Sequence, residues 1–182
     1  MKNIKLTGLL VTLSILVSCT QGSGSGATDA NAIIATVAAD FSSGAHSVIS
    51  KDGNGDRISL NELLPTASDI TVAAFRKNFY RIERAFAGNN ITKFSSSDPQ
   101  TPVWQFSTND AGSAILSNPH DMVFVSETKA YVLRYGTSTA WIVNPSAQTE
   151  AEFKTGELDL SAYADADGVP EMDSGVVVDG RL

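Results

Sequence analysis

The chain has 182 residues, with 13 Lys+Arg against 20 Asp+Glu for a formal net charge of −7, 42% hydrophobic residues and a single cysteine. An acidic chain lacks the basic surface that phosphate contacts need, so nucleic acid is excluded as an expected partner, and adhesion to anionic lipid heads is disfavoured for the same reason. One cysteine also excludes an internal disulfide and leaves core burial as the source of stability, which a chain this long can supply.

Lys2 and Lys5 open the chain, and Leu6 to Val17 is apolar apart from Thr7, Gly8, Thr12 and Ser14. The run has the length of a signal-peptide core and falls short of the roughly 20 apolar residues that a spanning helix needs. Small Ser18 then precedes Cys19, the sole cysteine, at the cleavage position. Leu16-Val17-Ser18-Cys19 resembles the lipobox of bacterial lipoprotein precursors and fills every position of that motif. The resemblance implies cleavage between Ser18 and Cys19, transfer of a diacylglyceryl group to the Cys19 sulfur, and membrane attachment through acyl chains such as palmitate. A thiolate is the nucleophile that such a thioether requires. An ordinary secretory signal with an incidental cysteine is the alternative, and the position of the one cysteine weighs against it. Thr20 follows the cysteine where an inner-membrane retention signal would place aspartate, so the same resemblance implies the outer membrane of the cell envelope. Residues 1–18 thus read as the signal peptide, and losing Lys2 and Lys5 leaves 11 of the 13 basic side chains against 20 acids, a balance of −9.

Residues 19–31 carry the lipidated cysteine and a tract, Gly22-Ser23-Gly24-Ser25-Gly26, with no side chain large enough to pack. It reads as a flexible tether. Its alternating glycines follow no predicted strand, which removes a phosphate-binding reading.

From Ala32 onward the sequence predicts short β segments separated by turn formers. Val, Ile, Thr and aromatic residues concentrate in His46–Ser50, Arg57–Leu60, Ile70–Phe75, Phe79–Glu83, Ile91–Phe94, Val103–Phe106, Met122–Val125, Ala130–Tyr135, Ala140–Val143, Glu157–Leu160 and Gly175–Val178. Asp52-Gly53-Asn54-Gly55, Gly88-Asn89-Asn90, Asp98-Pro99, Asn118-Pro119, Asn144-Pro145 and Asp179-Gly180 punctuate them. The Ala-rich stretch 30–38 is argued out of a helix by Ile33, Ile34, Thr36 and Val37. The expected class is all-β.

Asp69, Asp121 and Asp173 recur at intervals of 52 residues, each before an apolar run. Further strands follow in the same order after Asp69 and Asp121, giving four per unit, the signature of antiparallel β-propeller blades. The expected domain is a partial propeller over 32–182, with blades at about 69–120 and 121–172 and partial blades at 32–68 and 173–182. Lys129-Ala130-Tyr131-Val132 followed by Thr139-Ala140-Trp141-Ile142-Val143-Asn144-Pro145 resembles the YVTN-like β-propellers of bacterial surface and periplasmic lipoproteins, with Tyr131-Val132-Leu133-Arg134 in place of the strict tetrapeptide. Asp179-Gly180 predicts a tight hairpin turn with only Arg181 and Leu182 left for the returning strand, so the chain is expected to be the first part of a longer ring.

Chemistry is sparse. Asp52-Gly53-Asn54-Gly55-Asp56 imitates a calcium loop but has Arg57 where the sharp turn needs glycine, so a hairpin tip is expected. Asp165, Asp167 and Glu171, bent by Gly168 and Pro170 with Asp159 upstream, form the densest acid cluster and are the candidate calcium ligands. Two histidines, His46 and His120, exclude a multi-His metal site, and His120 beside Asp121 is expected to be a turn feature, because no serine lies in a nucleophile elbow. Trp104, Trp141, Phe94, Phe106, Phe124 and Tyr131 are expected to pack between sheets, and Arg81, Glu83 and Arg84 to form a solvated face. The sequence thus points to a lipid-anchored envelope protein whose repeat body binds a protein or small-molecule ligand or acts as a scaffold. A propeller-fold hydrolase or lyase with active-site residues beyond residue 182 is one alternative, and a structural envelope component is the other.

Overall fold

The computed structural model describes residues 32–52 and 54–182; Ser18, Cys19 and the tether lie outside them. The described chain is all-β, as expected, with only two single-turn 3-10 helices, Glu150–Glu152 and Ser161–Tyr163. Strands β1 (Ala32–Val37), β2 (Gly44–Lys51) and β3 (Arg57–Thr66) form a first sheet. The second contains β4 (Ile70–Phe75), β5 (Asn78–Glu83), β6 (Asn90–Ser95) and β7 (Asp98–Ser107). The third contains β8 (Pro119–Ser126), β9 (Lys129–Arg134), β10 (Thr139–Val143) and β11 (Lys154–Asp159). All three are antiparallel meanders in which each strand pairs with the next.

Local chemistry explains most of the boundaries. The β2–β3 connection is a hairpin tip in which the Asp52 carboxylate accepts the amides of Asn54 (2.9 Å) and Asp56 (2.8 Å). Asn144 holds its turn by accepting the Ser146 amide at 2.9 Å. Asp98-Pro99 departs from expectation: both residues lie inside β7, and the two-residue turn is Ser96-Ser97, since Ser95 pairs with Asp98. Proline is tolerated there because β7 is the edge strand of its sheet. Residues 175–178 form no strand. Asp179 and Gly180 do make the expected turn, both at positive φ (50° and 76°), but it closes a single bridge between Val178 and Arg181.

The three sheets stack face to face, with the second in the middle. Alternation along β5 sends Phe79, Arg81 and Glu83 toward the first sheet and Tyr80 and Ile82 toward the third. On the first-sheet side, Phe79 stacks on Phe94 at 4.9 Å and both rings meet His46. On the other, Tyr80 meets Phe124 at 4.9 Å, Phe75 stacks on Phe124 at 4.8 Å, and Trp104, Phe106 and Phe153 pack together. Ile82, Ile91, Met122, Ala130, Val132 and Val143 fill the space between these rings. Trp104, Trp141, Phe106 and Phe124 thus pack between the second and third sheets and Phe94 between the first and second, as expected, whereas Tyr131, alternating with Val132, lies on the other face of the third sheet.

The face of β5 bearing Arg81 and Glu83 is buried, not solvated as the sequence predicts. Arg81 is 6% and Glu83 3% exposed, because the first sheet covers that face. Charges survive there as an ion pair of 2.6 Å, with Arg81 also donating to the Leu64 carbonyl at 2.7 Å. Strand β9 repeats β5 with Tyr131 and Leu133 standing 51 residues after Tyr80 and Ile82. The face of the third sheet that carries them is met by the coil after residue 160, where Met172 and Leu160 pack on Leu133 and Ala140.

Candidate functional site

His120 and the acid cluster of 165–173 lie at one end of the stack, where the β5–β6, β7–β8 and β9–β10 connections meet the coil after β11, whereas His46 and the Asp52–Asp56 tip lie elsewhere. A buried polar hub welds this end. Asn89 and Asn118 both adopt left-handed backbone (φ 56° and 46°), a conformation asparagine tolerates better than bulky residues. The Asn118 amide donates to the Asn89 side-chain oxygen at 2.8 Å, and the Ala85 amide donates to the Asn118 side-chain oxygen at 3.1 Å. Fully buried Thr108 and Ser117 share a 2.7 Å hydroxyl contact, and the Thr108 hydroxyl also reaches the Asn89 carbonyl at 2.8 Å. Gly136 is required beside the hub, because a Cβ there would collide with the Leu116 carbonyl.

On this frame each four-stranded sheet clamps its first strand to the residue after its second. Arg84 does so with a 2.8 Å ion pair to Asp69, and Tyr135, 51 residues on, with a ring stack on His120 at 4.5 Å and 17°. The His120 Nδ1 lies 2.7 Å from the Asp173 carboxylate, so the imidazole partner is Asp173 and not adjacent Asp121. Asp121 accepts the amides of Met122 (2.8 Å) and Gly175 (3.2 Å). The three aspartates spaced by 52 residues thus play three different roles. Register is the reason: β8 carries two bulges against β9, which displace Asp121 from the position of Asp69.

The acid cluster continues from this point. Glu171 sits beside the Tyr135 hydroxyl, and that hydrogen bond, reinforced by the Glu171 charge, raises the phenol above its ordinary range. Asp165 accepts the Asp167 amide at 3.1 Å, and Asp167 accepts the Val169 amide at 2.8 Å. Asp165 and Asp167 are therefore engaged in their own turn while Glu171 faces Tyr135. Among the described residues no three His, Cys, Asp or Glu side chains gather as a metal ion requires.

A buried and a half-buried cation complete the electrostatics. Arg134, fully buried at the end of β9, donates to Asp110 at 2.5 Å and to Thr139 at 3.1 Å, and lies 4.4 Å over the Trp141 ring. Lys154 reaches the same carboxylate at 3.3 Å and lies 4.5 Å from the centre of the Trp141 ring. Burial works against the Asp110 charge, but the hydrogen bond and charge of Arg134, joined by Lys154, hold the carboxyl below its usual range. His46, the other histidine, is fully buried between Phe79 and Phe94. Its Nε2–H donates to the Pro99 carbonyl at 2.8 Å, which leaves Nδ1 facing Arg81 at 3.4 Å as the acceptor of a neutral ring. Desolvation lowers its proton affinity, against the Pro99 contact and with the Arg81 charge.

Chemically, this end offers hydrogen-bonding side chains held by a rigid frame. Among the described residues, no hydroxyl is hydrogen-bonded to His120 as a nucleophile would be. Tyr135 and Asp173 escaped sequence reasoning as partners of His120; the 51-residue match of β5 to β9 is the signal that pairs Tyr135 with Arg84. No protein-family model matches the chain, and no curated protein is detectably similar to it.

Proposed function

We propose that this chain is an exported lipoprotein, held at the outer membrane through acylated Cys19, whose β body is a propeller-type binding or scaffold module. The observation that carries the reading is the lone cysteine at the end of an apolar run of signal-peptide length, followed by a Gly/Ser tether. The body supports it through two successive four-stranded meanders that stack face to face, with β9 repeating β5 after 51 residues. The face of the second sheet bearing Tyr80 and Ile82 accepts the third sheet, and the matching face bearing Tyr131 and Leu133 accepts coil 160–182, as a site for a further blade would. The loop chemistry favours binding over catalysis: Asp69, Asp165, Asp167 and Asn118 hold local backbone or neighbouring side chains.

Cell fractionation tests the reading. The wild-type protein is expected in the outer-membrane fraction and in the detergent phase of a phase-separating surfactant. Cys19→Ser is expected to leave an uncleaved precursor that is absent from the outer membrane. A Cys19→Ser protein processed and distributed like the wild type would sink the proposal.

A further inference from the structure

At the end of the stack opposite the polar hub, a cleft of about 380 Å³ opens between the second and third sheets. Its walls are Phe75, Arg76, Lys77 and Asn78 of the β4–β5 hairpin, Tyr80 of β5, Lys93 of β6, Glu127 of the β8–β9 turn and Ser146 after β10. Three cations and one carboxylate line it in a chain whose net charge is −7. That inversion of sign in a concave site is a local field of the kind that concentrates anions. Glu127 is engaged by Arg76 at 3.4 Å, on the exposed rim.

The inner groups are the informative ones. Lys93 Nζ donates one proton to the Pro145 carbonyl at 2.8 Å and lies 5.9 Å over Tyr80 and 6.0 Å over Trp104. Its remaining two N–H donors have no other hydrogen-bond partner among the described residues. Desolvation lowers its proton affinity, while the Glu127 charge sustains the ammonium. Tyr80 is 1% exposed and lines the cleft, and its hydroxyl is hydrogen-bonded to no other described residue. Burial and the Glu127 charge both push that phenol up, so it remains a neutral donor. A hydroxyl that opens into the cleft with no protein partner is free to donate to an acceptor that enters there. The Phe75 ring, fixed by its stack on Phe124, supplies an apolar wall.

We infer that this cleft binds a small organic carboxylate with an apolar body, its carboxylate accepting from Lys93 and the Tyr80 hydroxyl and its body lying against Phe75. The volume falls within the range of small-molecule sites. A carboxylate is favoured over a phosphate dianion because Arg76 is committed to Glu127, which leaves Lys93 and Lys77 as the available charges. The inference does not depend on the lipid anchor: its readout is binding in solution, and processing at Cys19 can fail or succeed without affecting it.

Benzoate is the probe. Titrated into the isotope-labelled full chain and followed by amide chemical shifts, it is expected to move Asn78, Lys93 and Ser146 saturably, with inorganic phosphate producing no saturable shift there. Lys93→Met is expected to weaken binding about tenfold or more, and Tyr80→Phe several-fold, as loss of a hydrogen bond to a charged group does. Tyr80→Phe conserves the packing, and unchanged shifts outside the cleft certify its fold. Arg57→Gln, on exposed β3, is expected to leave affinity unaltered. Absence of saturable shifts at these amides, equal binding of phosphate, or benzoate affinity retained in Lys93→Met and Tyr80→Phe would each overturn the assignment.

Discussion

Acidification provides a direct probe of the buried interface between the first two sheets. His46 is enclosed by Phe79 and Phe94, donates from Nε2 to Pro99, and turns Nδ1 toward Arg81. Protonating Nδ1 would set a second positive charge against the guanidinium and replace an acceptor with a donor. Glu83, paired to Arg81 at 2.6 Å, is the one carboxylate in this network. The folded state therefore takes up the proton less readily than the unfolded chain, whose histidine titrates near 6.5. Below that value the unfolded state binds more protons than the native state, so stability is complete above about pH 6.5 and falls as pH drops through it. If the ring stays neutral in the native state, the loss between about pH 7.5 and about pH 5.5 approaches about 1.4 kcal/mol. For a domain of this size that corresponds to a fall in Tm of about 3–6 °C. Thermal melts at the two pH values, on the wild type and on His46→Gln, provide the assay. Glutamine retains a donor for Pro99 and cannot titrate, so the variant is expected to lose this part of the pH dependence. His120→Gln serves as the comparison and is expected to retain it. An identical pH dependence in the wild type and His46→Gln would show that His46 is not the group whose protonation destabilises the fold.

Other expectations follow from single contacts. Phe94→Ala removes a fully buried ring that stacks on Phe79 and is expected to cost about 3–5 kcal/mol by denaturant unfolding, against near-neutral substitution of exposed Phe86. Arg81→Leu leaves Glu83 buried without its partner and is expected to cost about 3–5 kcal/mol, with Arg81→Leu/Glu83→Leu recovering much of the loss. A double mutant no more stable than the single one would show that the charge pair is not the cause. Gly136→Ala is expected to destabilise strongly because the new Cβ meets the Leu116 backbone, whereas Gly112→Ala meets open space and pays only for its positive φ. Calcium is expected to leave Tm unchanged, since Asp165 and Asp167 already hold amides of their own turn; a calcium-dependent rise would place a cation at Asp165, Asp167 and Glu171.

Residues that act on their neighbours in sequence were the legible ones. The turn formers and β-branched runs predict most strands of the second and third sheets, because hairpin register is set by chemistry a few residues long. The Asp98-Pro99 exception arose because proline marks an edge strand as readily as a turn. The buried face of β5 was not legible: charges alternating with apolar residues write the same pattern whether water or another sheet lies opposite Arg81 and Glu83. His120 illustrates the same limit. Its sequence neighbour is Asp121, yet its partner Asp173 is 53 positions away and is brought in only when the coil after β11 folds back. The cleft at Lys93 draws its walls from five separate connections and strands, and no local spacing encodes that convergence.

Whether Cys19 carries the proposed anchor is decided by the intact mass of the protein isolated from its own cells. The expected result is a chain beginning at Cys19 and carrying a diacylglyceryl thioether, with lipid mass lost in Cys19→Ser. A mature protein that retains residues 1–18, or begins at another residue with an unmodified cysteine, would contradict it.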